Sequence, residues 1–318
     1  MKLAMMLPVL PDSRWKHAVQ LGVNYAITKA APELSGRKDP SDLDSLYHIK
    51  KNFKQEGLTL YGLEGDEFDM NRIKLGLPGW EEDIARYQKM LQNMGELGIN
   101  LLCYNFMAGI GWYRTDSNLK ERGNALTCGF SANKTKELPE LISKEDLWNN
   151  YKRFIQSVMP VAEKAGVRMA IHPDDPPVNH LLGYSRIFTS AQAYRKAMAI
   201  SGSPFHGITF CQSCFMLMGE DVPELIKEWG KRIFFLHIRD VNGTRANFRE
   251  TFHDNGPTDM AMIMEQAARY APDCVIRPDH TPSMAGEEAM PAGYAALGNI
   301  FAVGYIRGIA HGRNLLLT

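Results

Sequence analysis

Four β-type runs in the second half of this chain each stop on a residue able to hold a metal ion. Arg168-Met169-Ala170-Ile171 ends at His172, and Gly207-Ile208-Thr209-Phe210 ends at Cys211. Ile233-Phe234-Phe235-Leu236 ends at His237, and Val275-Ile276-Arg277-Pro278 ends at Asp279. The four donors are separated by 39, 26 and 42 residues, enough in each interval for a helical return. A strand–helix–strand crossover lays successive strands parallel and side by side. All four ends then share one rim, and that shared rim is what predicts an active site.

The rest of the chain repeats the same alternation. Strand-like runs are predicted over 2–7, 22–27, 58–64 and 99–106. Asp12 and Asp42 are placed to cap helices, the second stopping at Gly57. The clearest helix covers 80–97, where Ile84, Tyr87, Met90, Leu91, Met94 and Leu97 recur at helical spacing. From 107 to 144 periodicity lapses into a stretch rich in Gly, Asn, Thr and Lys, which reads as a lid or an oligomer contact arching over the rim. The rhythm resumes with a long helix ending at Gly166 and continues to a closing helix over about 293–309. Eight strand-then-helix units predict one α/β domain spanning 1–318, a (β/α)8 TIM barrel with a long insertion after strand 4. No G-x-G-x-x-G follows the first strand, which argues against a dinucleotide-binding sheet.

Lysine plus arginine and aspartate plus glutamate number 36 each, so no overall field recruits nucleic acid or an anionic membrane. No run approaches the roughly 18 apolar residues a bilayer span needs. The start, Met1-Lys2-Leu3-Ala4-Met5-Met6-Leu7-Pro8, reads as a first strand rather than a signal peptide. Five cysteines without disulfide-framework spacing point to a reducing compartment, and the cytoplasm is the expected location. Asn133-Lys134-Thr135 fits a glycosylation sequon by pattern alone.

Neutral imidazole, thiolate and carboxylate are all competent ligands for a divalent cation. A lone strand-end histidine is more often a satisfied structural side chain. Four such donors in succession on adjacent strands are what carry the assignment. Cys211-Gln212-Ser213-Cys214 also fits C-x-x-C, but no second pair completes a zinc ribbon. A thiolate favours zinc, iron or cobalt, whereas carboxylate and other oxygen ligands suit manganese or magnesium. Further polar groups surround the donors. Asp174, Asp175 and Asp240 read equally well as turn or helix caps and as site residues. Arg239 suits a bidentate carboxylate clamp, and His280 suits proton transfer. His253 and Tyr294 complete the set.

These motifs carry a resemblance. Cys103-Tyr104-Asn105-Phe106-Met107, Ala170-Ile171-His172-Pro173-Asp174-Asp175-Pro176-Pro177, Thr209-Phe210-Cys211-Gln212, Phe235-Leu236-His237-Ile238-Arg239-Asp240 and Arg277-Pro278-Asp279-His280 resemble the mannonate dehydratase family. The resemblance implies a xylose-isomerase-like barrel that converts D-mannonate to 2-keto-3-deoxygluconate with a divalent metal, usually manganese. It implies His172, Cys211, His237 and Asp279 as ligands and His280 with Tyr294 as the acid/base pair. Arg239, His253, Asn105 and Asp240 are then the expected substrate contacts, and the expected partners are a sugar acid and further copies of the chain in a homo-oligomer (dimer). This chain departs from the family at Thr281-Pro282-Ser283-Met284-Ala285-Gly286-Glu287, where Gly-Arg-Gln is common, and at Ser213 and Cys214. A metal-dependent sugar isomerase or epimerase on the same barrel is the competing reading. Such enzymes commonly use Glu and Asp ligands, whereas this rim offers His and Cys.

Overall fold

In the computed structural model, which describes residues 1–290 and 293–318, eight parallel strands close into a barrel. They are β1 (Lys2–Met6), β2 (Tyr25–Thr28), β3 (Thr59–Glu64), β4 (Leu101–Tyr104), β5 (Arg168–Ile171), β6 (His206–Cys211), β7 (Ile233–Ile238) and β8 (Val275–Pro278). Each pairs with its chain neighbours, and β8 closes on β1 through Lys2–Val275 and Leu3–Ile276. The expected (β/α)8 architecture is therefore the one found. The helices begin where the capping residues predicted. Asp12 accepts from the Arg14 backbone N–H at 2.9 Å and Asp42 from that of Ser45 at 2.9 Å.

Side-chain alternation along the strands divides the core in two. Leu3, Met5, Leu102, Tyr104, Met169, Ile171, Phe210, Leu236, Ile238 and Ile276 join the large apolar layer between strands and helices. Ala4, Leu101, Cys103, Ala170, Phe235 and Val275 fill the barrel interior. The same period of two turns the next residues inward. His172 lies two beyond Ala170, His237 two beyond Phe235, and Arg277 and Asp279 two and four beyond Val275. Register completes the placement: Cys211 is the partner of His237, and His237 of Arg277. The Asp279 N–H bonds the Ile238 carbonyl at 2.7 Å, carrying that edge one residue past the strand.

The 107–144 stretch is not an irregular loop throughout. It contributes strands Asp116–Lys120 and Leu126–Ser131 to a four-stranded antiparallel sheet whose other half is the hairpin Asp240–Thr244 and Asn247–Thr251. Phe130 pairs with Phe248 across the join. The sequence reading missed these strands because each half finds its partner more than a hundred residues away. Smaller differences lie at element ends: β2 begins at Tyr25 rather than 22, and the last helix spans Ala296–Gly312. Among the described residues no helix is long and apolar enough to cross a membrane.

Candidate active site

At the C-terminal end of the barrel, one donor atom from each of His172, Cys211, His237 and Asp279 lies within 4.8 Å of the others. Cys211 Sγ is 3.8 Å from Asp279 Oδ2, and His237 Nδ1 is 3.8 Å from the same oxygen. His237 is fully buried, yet neither of its ring nitrogens has a hydrogen-bond partner. Buried polar atoms are rarely left so in a finished site. His172 Nδ1 must donate to the Pro173 carbonyl at 2.7 Å, since a carbonyl only accepts, and that fixes Nε2 as the free donor atom.

The electrostatics fit the same role. Burial disfavours imidazolium at His237, and the neighbouring Arg277 charge adds to it, so the ring is held neutral. Burial alone would raise the Cys211 thiol. The Cys214 hydrogen bond, the Arg239 charge and the two imidazoles instead bring it well below the usual thiol range. Burial opposes charge at Asp279 too, but His280, Arg277, His237 and Arg239 hold it below the ordinary carboxylate range. Burial opposes a charged ring at His172, but the Cys211 hydrogen bond and charge, with Asp279 and Asp175, outweigh it and push that imidazole up to about 9, so a cation bound there would displace a proton from it. Two imidazoles, a thiolate and a carboxylate brought to one point are a donor set that fits a divalent cation.

Beside the cluster, His280 Nε2 meets Tyr294 Oη at 3.0 Å, and His280 Nδ1 meets Glu250 Oε1 at 2.9 Å. Burial raises the Glu250 carboxyl, but His280, Arg114 and Arg239 outweigh it and hold it ionised, well below its ordinary value. Arg239 Nη1, which only donates, lies 3.1 Å from the same Nδ1, but the shorter contact is to the ionised Glu250 carboxylate, which only accepts; that contact places the proton on Nδ1 and turns Nε2 toward Tyr294. Burial, with Asp279 nearby, raises the Tyr294 phenol, which stays a neutral donor. The Trp112 ring packs edge-on against His280 at 4.9 Å.

Arg239 is placed differently from the sequence-based expectation. Its guanidinium is fully buried and turned toward protein acids. Nη2 donates to Asp175 at 2.8 Å, Nη1 to Glu250, and Nε lies 3.2 Å from Asp279. Those carboxylates occupy the fork that a substrate carboxylate would need. The correction is that Arg239 braces the site. His253 also lies behind it, donating Nε2–H to the Ile238 carbonyl at 2.7 Å. Asp240 accepts from the N–H and hydroxyl of Thr258 at 2.9 and 2.8 Å, the capping role that competed with a substrate contact in the sequence. Neither residue lines the cavity over the cluster, whereas Asn105 does. Asn105 Oδ1 accepts from Lys74 Nζ at 2.9 Å.

That cavity measures about 290 Å³, and its wall includes Glu64, Asp66, Trp112, Asp175 and Arg277. The sequence reading did not single out Glu64, Trp112, Glu250 or Arg277 as site residues. Arg277 grips both oxygens of Glu64, at 3.0 and 2.5 Å, across the barrel interior. Glu64 and Arg277 sat in view as charges ending apolar strands. Glu250 and Trp112 lie in segments that gave no periodic signal.

Comparison with known proteins follows the same lines. A family model described as D-mannonate dehydratase (UxuA) matches residues 35–139 and 130–314. The mannonate dehydratase of Oceanobacillus iheyensis is 33% identical over 300 residues, covering 85% of each chain. That of Enterococcus faecalis is 29% identical over 344 residues, covering 93% of this chain and 96% of its own. The crystal structure of mannonate dehydratase from Streptococcus suis serotype 2 superposes with a TM-score of 0.89 at 28% identity, covering 98% of this chain and 93% of that one. A D-allulose 3-epimerase from Methylomonas sp. superposes at 0.62 with 12% identity over 97% of this chain and 98% of its own, a likeness of fold alone.

Proposed function

Because the chain belongs to the mannonate dehydratase family, we propose that it removes water from D-mannonate to give 2-keto-3-deoxy-D-gluconate. The single observation that carries this reading is the convergence of four metal-type donors beside a paired imidazole and phenol. His172, Cys211, His237 and Asp279 would hold a divalent cation, for which we assign manganese, with cobalt, iron, zinc and magnesium as the comparison ions. When bound, such an ion supplies Lewis-acid stabilisation of the negative charge that develops as the substrate ionises.

The protein's own groups handle the protons. Elimination takes the proton on the carbon beside the carboxylate and the hydroxyl on the next carbon. His280 Nε2 accepts the first proton, its ring orientation fixed by Glu250 at Nδ1. Tyr294 gives its phenolic proton to the departing hydroxyl and is restored from His280 Nε2, so the enzyme returns to its starting state, one water leaves and an enol remains. That enol gives up its hydroxyl proton and gains one on the neighbouring carbon to become the 2-keto-3-deoxy acid. Trp112 covers the pair and limits access of solvent water. Asn105 lines the cavity as a substrate contact. The five cysteines are free and buried, which is compatible with a reducing compartment, and we place the enzyme in the cytoplasm on that basis.

The test is direct. Protein loaded with manganese should form the 2-keto-3-deoxy product from D-mannonate, and Asp279→Ala should lose both bound metal and turnover. Retention of both by the variant, or an epimerised sugar acid with no 2-keto-3-deoxy product, would overturn the proposal.

A further inference from the structure

The cavity that must admit a sugar acid is walled by four carboxylates, Glu64, Asp66, Asp175 and Asp279. An anionic substrate enters such a space only if those charges are matched, and, beyond the divalent cation proposed for the cluster, a protein cation is needed to tell its carboxylate from the hydroxyl of a neutral sugar. The matching is thorough. Arg277 holds Glu64 and lies 3.1 Å from Asp279 Oδ1. Buried Lys74 holds Asp66 at 2.6 Å. Arg114 and Arg239 together hold Asp175, at 2.7 to 2.9 Å. Each neutralised acid commits a base in return, so none of these four cations has a free fork to offer.

Lys29 stands apart from them. It follows β2 directly, at the strand end where barrels place ligand-binding groups. Its ammonium has one acidic neighbour, Glu33 Oε1 at 3.6 Å, and Glu33 is 64% exposed. An exposed pair of that kind is weak and yields readily to a better anion. The backbone beneath Lys29 is fixed, because the Ala30 N–H donates to buried Glu67 Oε2 at 2.6 Å. Burial raises the Glu67 carboxyl well above its ordinary value, so it does not compete as an anion. Lys29 also lines a second hollow of about 390 Å³ that adjoins the first and shares Arg277, Asp279 and Tyr294 with it. It therefore stands on the wall between the cluster and an apolar vestibule walled by Met5, Leu7 and Ile300.

Resting on the proposed dehydration of a sugar acid, we infer that Lys29 is the specificity-determining cation that binds the substrate's carboxylate and admits aldonates in preference to neutral polyols. It makes the same contact to substrate and transition state, so its loss acts on binding more than on the chemical step.

The experiment uses the manganese-loaded full chain with Lys29→Met and Lys29→Arg. For Lys29→Met, KM for D-mannonate should rise about 10- to 100-fold, the scale of one charged hydrogen bond, with kcat changed less than about threefold. Inhibition by D-gluconate should weaken by a similar factor while inhibition by uncharged D-sorbitol stays as in the wild type. Lys29→Arg should recover most of the loss. Unchanged KM in Lys29→Met, or equal weakening of gluconate and sorbitol, would overturn the inference while leaving the dehydration intact. Absence of product from the wild type would instead overturn the underlying activity. Metal content and circular dichroism matching the wild type confirm that the variants fold. Should Lys29→Met fail that check, Lys29→Gln carries the same measurement.

Discussion

Glu250 sits on a hairpin outside the barrel, yet its carboxylate bonds His280, Arg114 and Arg239 and accepts from Cys128 Sγ at 3.1 Å. It makes no contact with the four metal-type donors among its hydrogen bonds. Replacing it with glutamine removes the charge that keeps the His280 proton on Nδ1 and leaves the cluster in place. Glu250→Gln should therefore lower kcat by about 10²-fold or more while bound manganese stays near the wild-type level. Parallel loss of metal would show a general collapse of the site instead. Two buried guanidiniums also lose the charge that offsets theirs, while keeping a carbonyl oxygen to donate to, so thermal stability should fall as well, by at most about 3–5 kcal/mol. Glu250 was hidden in the sequence for a plain reason. The four donors end apolar strands, a pattern visible residue by residue, whereas Glu250 lies between Arg249 and Thr251 in a polar stretch with no such frame. Arg239 misled in the opposite direction. Its position beside His237 was legible, but the three acids that surround it come from segments before and after it in the chain.

The barrel strands and the sheet over them differ in how openly the sequence states them. Apolar period-two runs set each barrel strand, and capped helices between them set the crossovers, so the eightfold order could be counted in advance. The covering sheet has no comparable pattern: Asp116–Lys120 is polar and largely exposed, and Leu126–Ser131 is short. Its pairing depends on contacts between segments far apart in the chain. Gly129 marks the join. A Cβ there would lie 2.6 Å from the Phe248 carbonyl oxygen, a backbone atom that cannot move aside. Gly129→Val should part the two halves of the sheet and displace Arg114 and Glu250 from the rim. Turnover should drop at least about 10²-fold, whereas the main unfolding transition should move by only a few degrees, since the barrel core does not include this sheet. An unchanged kcat in this variant would mean that the sheet does not organise the site.

For the whole molecule, the cluster ties β5, β6, β7 and the end of β8 to one point, and the Arg277–Glu64 pair ties β8 to β3. An ion held at that point binds only the closed barrel. At a hundred times its dissociation constant it should stabilise the fold by about 2.7 kcal/mol, a rise in Tm of about 4 °C for a chain of this size. Calorimetry on chelator-treated and manganese-loaded protein measures this, and Asp279→Ala should abolish the difference. A rise that persists in the variant would place the ion elsewhere.

The covering sheet also bears on how such an enzyme can be recombined. Half of it arrives between the fourth and fifth strands and half after the seventh, so neither loop is a self-sufficient module. A chimera that exchanges one loop with a relative inherits a sheet with mismatched halves, and the two would have to be exchanged together to give a working hybrid.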